Sequence, residues 1–371
     1  MQRTLTIMRK EFIQLRRDPY SMTLLLVEPI VLLLIIAYAL STDVKHIPTV
    51  VWDQSRSNES RRLLESFQQS QYFDLDYHVD DQAAVTRLID SGQAKAGLII
   101  PVDYAGRLAR GEDAGVQFII DGSDPMVATS GLSYAMLVAQ ANAIKLAVRR
   151  LQIREMPTFI DFRPRVWYNP NMENMVYLTP GLVAVILVYV TLAMSSFAIV
   201  RERERGTLEQ LIVTPIKPWE LMVGKLLPYV LVSFADAGLM LLVATLFFGT
   251  SINGNILLLT VLSLVFIISM LALGIFISTV SSSQYQAQQW VIFMLVPPAL
   301  LSGLIFPIEA MPRLAQFIAY LMPLTYYLHI VRGIILKGNG LNYLWRDTLI
   351  LAVMGLLLMT LSVSRFHKRL E

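Results

Sequence analysis

The chain has 371 residues, 55% of them hydrophobic and 16% charged, and its mean hydropathy is +0.54. That balance excludes an ordinary soluble domain and places the chain among polytopic membrane proteins. A net charge of +3 is too small to draw nucleic acid, and the lack of cysteine excludes disulfides and cysteine-held metals.

Residues 1–20 carry Arg3, Arg9, Lys10, Arg16 and Arg17, while Leu5, Met8, Phe12 and Leu15 recur at helical spacing. This reads as an amphipathic helix on the inner side, either lying on the membrane surface in contact with lipid or forming an ordinary cytoplasmic tail helix. Residues 21–40 form the first spanning candidate, interrupted by Glu28 and Pro29. Ala37-Tyr38-Ala39 resembles a signal-peptidase site, but the long basic tail and the carboxylate inside the apolar run favour an uncleaved anchor.

From 41 to 175 the composition becomes that of a soluble domain large enough to build its own core. Strand-like runs at 46–52, 73–79, 96–100, 116–120 and 165–168 alternate with helical stretches near 58–69, 81–91 and 102–110, an α/β pattern. A long helix follows Ser123 or Asp124, with Pro125 in its first turn. Its seam of Leu137, Ala141, Ile144, Val148 and Leu151 is expected to pack on the domain's own sheet, with a second copy as the alternative.

Residues 176–200 hold no charge and are long enough to span, as are 226–248, 256–280, 288–306 and 348–364. With 21–40 the count is six. Basic residues near both termini place the termini inside and 41–175 outside. Pro307, Pro312, Pro323, Gly333, Gly338 and Gly340 mark 307–345 as outer re-entrant or interfacial helices. That segment also carries Arg313, Arg332, Lys337 and Arg346, against the charge bias. The expected fold is therefore an α-helical polytopic membrane protein of six transmembrane helices, with an α/β extracytoplasmic domain between helices 1 and 2.

The second and third spans are joined by RERERGTLEQLIVTPIKPWELMVGK, residues 201–225. Arg201, Glu202, Arg203, Glu204 and Arg205 alternate in sign, and Gly206 breaks the helix. Thr207-Leu208-Glu209-Gln210 has a capping-box arrangement, and Pro215 ends the short helix that follows. By itself such a stretch also reads as a solvated loop that fixes topology.

The run ERERGTLEQLIVTP, followed by Glu220 and then Gly224-Lys225, resembles the signature of ABC-2 type transporter permeases, in the branch with a large extracytoplasmic domain and drug-export roles. Nearly the whole chain fits that pattern. The resemblance implies a bacterial inner-membrane permease subunit, paired with a second copy or a close paralogue, that moves an amphiphilic or drug-like substrate outward. It implies that the loop at 201–220 contacts a separate ABC ATPase subunit, which hydrolyses the ATP, and that the outer domain meets a periplasmic adaptor or receives cargo. Leu208, Leu211 and Ile212 are then the apolar anchors, with Arg201, Glu202, Arg203, Glu204, Glu209 and Glu220 as charged neighbours.

The chain has no catalytic constellation of its own. His46, His78, His329 and His367 are scattered without a helical metal partner, so neither a metal nor a directly bound cofactor is expected. Gly224-Lys225 is not a phosphate loop, since Trp219 stands five residues before the glycine and Leu226 follows the lysine. Glu28 and Asp236 lie inside spans, Asp236 about 15 Å along its helix and near the midplane, so each is expected to face protein or water and to have a partner. The competing reading is a membrane signalling or scaffold protein whose outer domain senses a ligand.

Overall fold

A computed structural model describes residues 2–17, 19–40, 45–151, 167–170, 174–206 and 218–365. The chain falls into two compact units, Thr42–Arg163 and the combination of Met1–Ser41 with Pro164–Glu371.

The smaller unit is built on four strands, β1 (Ile47–Asp53), β2 (Phe73–His78), β3 (Ala96–Ile100) and β4 (Gln117–Ile120), in the order β2-β1-β3-β4. β1 pairs in parallel with β2 and β3, and β4 closes the edge antiparallel to β3. All of β3 is buried, as a strand covered on both faces must be. Leu98 and Ile100 join Ile47, Leu63, Phe67, Phe73 and Tyr104 in one cluster; Val50, Val85 and Ala94 form the other, with Ile119 against them. The helices are α3 (Asn58–Gln69), α4 (Gln82–Asp90), α5 (Tyr104–Arg110) and α6 (Pro125–Leu151). Ser57 and Ser60 cap α3 reciprocally, and the Asp81 side chain caps α4.

Two expectations for the 41–175 segment are corrected. The heptad seam of α6 does not lie on the sheet: Leu137 is 60% and Ile144 50% exposed. The packed face runs instead through buried Gly131 and Ala135, because a side chain at 131 would collide with Ile120 and Ile47, so only a small residue permits the approach. The strand expected at 165–168 falls partly outside the described residues, and Trp167 and Tyr168 are not in a strand.

The larger unit holds α1 (Gln2–Arg17), α2 (Pro19–Leu40), α7 (Asn174–Glu204), α8 (Pro218–Phe248), α9 (Ile256–Val280), α10 (Gln284–Leu301), α11 (Arg313–Tyr320), α12 (Pro323–Ile335) and α13 (Leu341–Arg365). α7 is the central rod, buried over most of its length against α2, α8, α9, α10 and α12. Small polar side chains join the helices, as expected where water supplies no partner. Ser278 accepts the Ile199 and Val200 amides, Ser263 pairs with the Tyr327 hydroxyl at 2.8 Å, and Ser362 donates to the Ala272 carbonyl. Gly274 lets α9 close on Ser195 of α7.

Among the described residues, five helices are long and apolar enough to cross a membrane: Pro125–Val148, Asn174–Glu204, Trp219–Phe248, Ile256–Val280 and Leu341–Arg365. The pair α11 and α12, bent by 79°, adds a sixth if it is one broken span. This set differs from the expected six. α10 falls short because Gln284, Gln286, Gln288 and Gln289 occupy its first turns, and the apolar part of α2, Leu25–Ala39, is short. α10 also stops at Leu301 rather than 306, where Gly303 adopts a left-handed turn (φ +87°) and Arg332 donates to the Gly303 and Leu304 carbonyls. Arg332 also lies 3.9 Å over the Tyr177 ring. Its partners are protein groups, which accounts for a basic residue in a segment that the charge bias disfavours.

Candidate functional site

The connector between α7 and α8 is shorter than its charge pattern suggests. Arg201, Glu202, Arg203 and Glu204 form the last turn of α7, Gly206 leaves the helix at φ +68°, and α8 begins at Pro218, so Glu220 and Lys225 are helical. Proline is suited to that first position because its missing N–H is unpaired there anyway. Thr207, Leu208, Glu209, Leu211, Ile212 and Pro215, with the expected capping box, lie outside the described residues.

The two helix ends meet in a buried ion cluster. Lys225 Nζ, with its side chain 3% exposed, donates to Glu11 Oε1 at 2.8 Å, to the Ala198 carbonyl at 2.9 Å and to Glu202 Oε1 at 3.3 Å. Lys10 Nζ reaches the same Glu202 oxygen at 2.7 Å, and the Tyr229 hydroxyl lies 3.4 Å from Glu11 Oε2. Each buried charge thus has an opposite partner, the condition under which burial is tolerated. Gly224 makes the approach of α1 feasible, since an added Cβ would lie 2.9 Å from Ile7 Cβ and 3.0 Å from the Thr4 carbonyl oxygen.

The other charges of the turn point elsewhere. Arg203 donates to the Ser281 carbonyl at 2.6 Å, and Glu204 accepts the Gln284 amide at 2.7 Å together with the Gln284 side-chain amide. Glu204 therefore sits at the N-terminus of α10, where a carboxylate is favoured by the free amides and the dipole. One turn of α7 thereby holds α1 and α8 on one side and the α9–α10 junction on the other. Glu220 is buried.

Sequence reasoning named Lys10 only as part of a basic face and Lys225 only within the signature, and it singled out none of Glu11, Tyr229, Ser281 and Gln284 as partners of the connector. The available signal was Glu11, the one acid in the first 17 residues and set among basic neighbours. On α1 it is Ile7 and Glu11 that are buried, while Leu5 and Phe12 of the apolar stripe are exposed. That exposed stripe suits a helix resting in a membrane interface.

Of the two acids inside spans, Glu28 accepts a hydrogen bond from the Tyr189 hydroxyl of α7 at 3.2 Å. Asp236 differs from expectation: it is 1% exposed, and neither carboxylate oxygen has a hydrogen-bond partner among the described residues. Ser233, one turn earlier, has an equally buried and unpartnered hydroxyl. No group of His, Asp or Glu that would hold a metal occurs among the described residues.

A family model described as ABC-2 family transporter protein matches residues 20–364. The chain is 29% identical over 364 residues to the probable multidrug ABC transporter permease YbhS of Escherichia coli strain K12, covering 98% of this chain and 96% of that protein. It is 26% identical over 342 residues to the probable multidrug ABC transporter permease YbhR of the same strain, covering 92% of each. The inner membrane transport permease YhhJ, also from that strain, is 27% identical over 324 residues, 86% of this chain and 85% of that protein.

Proposed function

Because the chain belongs to the ABC-2 family of transporter proteins, we propose that it is the membrane permease of an ATP-driven exporter of the bacterial inner membrane, moving an amphiphilic, drug-like substrate outward. The relatives named as probable multidrug permeases support that cargo class. ATP is bound and hydrolysed by a separate ABC ATPase subunit, consistent with a sequence that lacks a phosphate loop. Six spans with both termini inside, residues 41–175 outside, a second permease copy as partner and an adaptor at the outer domain complete the reading.

The observation that carries it is the ion cluster of Lys225, Glu202, Glu11 and Lys10 at the base of the connector. A docking loop transmits movement only if its ends are fixed to the helices that must move. Residues 201–220 are the docking and coupling element, with Leu208, Leu211 and Ile212 seated in the ATPase and Glu209 orienting the contact. Glu202 and Glu204 act from within, by holding α1 and α10 to the same turn.

Leu208→Ala with Leu211→Ala should release the ATPase from the purified complex and abolish cargo-stimulated hydrolysis. Glu204→Ala should leave the ATPase bound but weakly stimulated. Membrane insertion should be unchanged in both. Retained ATPase and normal stimulation in the double leucine variant return the connector to a loop that only fixes topology.

A further inference from the structure

A cavity of about 470 Å3 opens among α7, α9, α10, the α11–α12 turn and α13. Val188, Met270 and Met354 place it near mid-length on three of the helices long enough to span. Its volume lies within the range of small-molecule pockets. Every side chain on its wall is apolar, and four are methionines: Met270, Met294, Met322 and Met354. Unbranched thioether chains adapt their shape to varied apolar surfaces, so such a wall fits a class of molecules rather than one outline.

Pro297 and Pro298 form part of the same wall. In an α-helix the Met294 carbonyl accepts from the N–H of residue 298, and in a 3₁₀ turn from that of residue 297. Both residues are prolines and neither has an N–H. The Phe293 carbonyl loses its α-helical donor to Pro297 in the same way. A carbonyl deprived of its helical donors in an apolar interior favours any other donor that reaches it. With no polar side chain on the wall, the polar atoms these residues carry are backbone atoms, and the Phe293 and Met294 carbonyls of α10 are the ones that the two prolines leave without a helical donor.

We propose that this cavity binds an uncharged, largely apolar small molecule carrying one hydrogen-bond donor, its body against the methionines and its donor on the Met294 carbonyl. Charged ligands are disfavoured because no ionisable side chain lines the wall. A phospholipid acyl chain matches the apolar surface but brings no donor.

The test uses the purified full-length chain in lipid nanodiscs with three photoactivatable probes: a diazirine-bearing dodecanol, its methyl ether, and a phospholipid with the diazirine in an acyl chain. Labelled peptides are located by mass spectrometry. The alcohol should label α10 and α13 peptides saturably, and the ether should need about fivefold higher concentration, as expected for loss of one hydrogen bond. Leu273→Trp, which fills the cavity, should remove this labelling. Pro298→Ala restores the N–H that the Met294 carbonyl lacks, so it should keep apolar labelling but bring alcohol and ether to equal concentrations. Equal labelling by alcohol and ether in the unaltered chain overturns the proposal. So does phospholipid labelling of the same peptides that dodecanol fails to displace. No ATPase takes part, so a failed transport reading and a failed binding site give separable results.

Discussion

Lys225 Nζ lies 2.8 Å from Glu11 Oε1 although the residues stand 214 positions apart, and the ammonium also bonds the Ala198 carbonyl of α7. Removing one member of such a pair strands the other in a dry interior, at about 3–5 kcal/mol. Lys225→Met should therefore lower the thermal stability of the purified protein by several degrees and uncouple the ATPase. Adding Glu11→Leu should recover much of the stability, since a buried pair replaced by apolar groups is often neutral. Equal melting of the single and double variants in a fluorescence unfolding assay contradicts the pairing.

Gly224 separates packing from charge at the same place. Gly224→Val puts a branched side chain where even a Cβ would lie 2.9 Å from Ile7. The expected outcome is an α1 detached from α8 with Lys225 intact, read as about tenfold faster trypsin cleavage after Arg9 and Lys10, because local opening controls access. Unchanged cleavage would show that α1 absorbs the clash by shifting along α8.

For Asp236 the absence of hydrogen-bond partners among the described residues sets the direction. Asp236→Asn should keep assembly. Asp236→Leu should match or exceed the native thermal stability, since a buried unsatisfied polar group costs about 1–3 kcal/mol. If either variant assembles normally but no longer stimulates hydrolysis with cargo, the carboxylate serves transport rather than the fold.

Orientation is testable because the chain has no cysteine. Cysteines placed singly at the exposed positions Gln93 and Ser282 should respond oppositely to an impermeant thiol reagent on intact cells. Labelling of the first and protection of the second is expected from an outer 41–175 and an inner α9–α10 turn. The reverse pattern inverts the topology.

In the smaller unit, Lys95 donates to Asp121 at 2.8 Å, and this bond, with those from Ser123, holds the Asp121 carboxyl well below the usual carboxylate range. A depressed folded value contributes stability that is fully present above the unfolded value of about 3.9 and is lost as pH falls below it towards the folded value. Hydrogen exchange of β3 and β4 amides in the full chain, corrected for intrinsic rates, should show constant protection from pH 7 to about 5 and progressive loss below about 4. Asp121→Asn should lower protection at pH 7 and flatten that acid dependence.

Local order was readable where one segment decides the outcome. The run at 96–100 is apolar at every position and forms β3 over those same residues, and the run at 58–69 is α3. Packing was less readable because small residues set it: on α6 the bulky seam suggested the contact, but Gly131 and Ala135 allow the closest approach to the sheet. At the candidate site, the charge alternation and Gly206 located the connector. The partners were hidden, since nothing near Lys225 in sequence announces Glu11, and nothing near Glu204 announces Gln284. Contacts between distant segments follow from helix packing and leave no local periodicity to read.

α7 has protein on most of its surface, whereas α13 is largely exposed. A lipid-bathed helix turns against a fluid that yields; α7 is gripped by solid neighbours. Its 31 residues make a rod of about 46 Å, with Arg203 and Glu204 at one end and Thr179 and Pro180 near the other. A push delivered at the charged end has little viscous medium in which to dissipate. Under the proposed coupling role it would pass as a shear between interlocked surfaces, so that the far end moves with the near one.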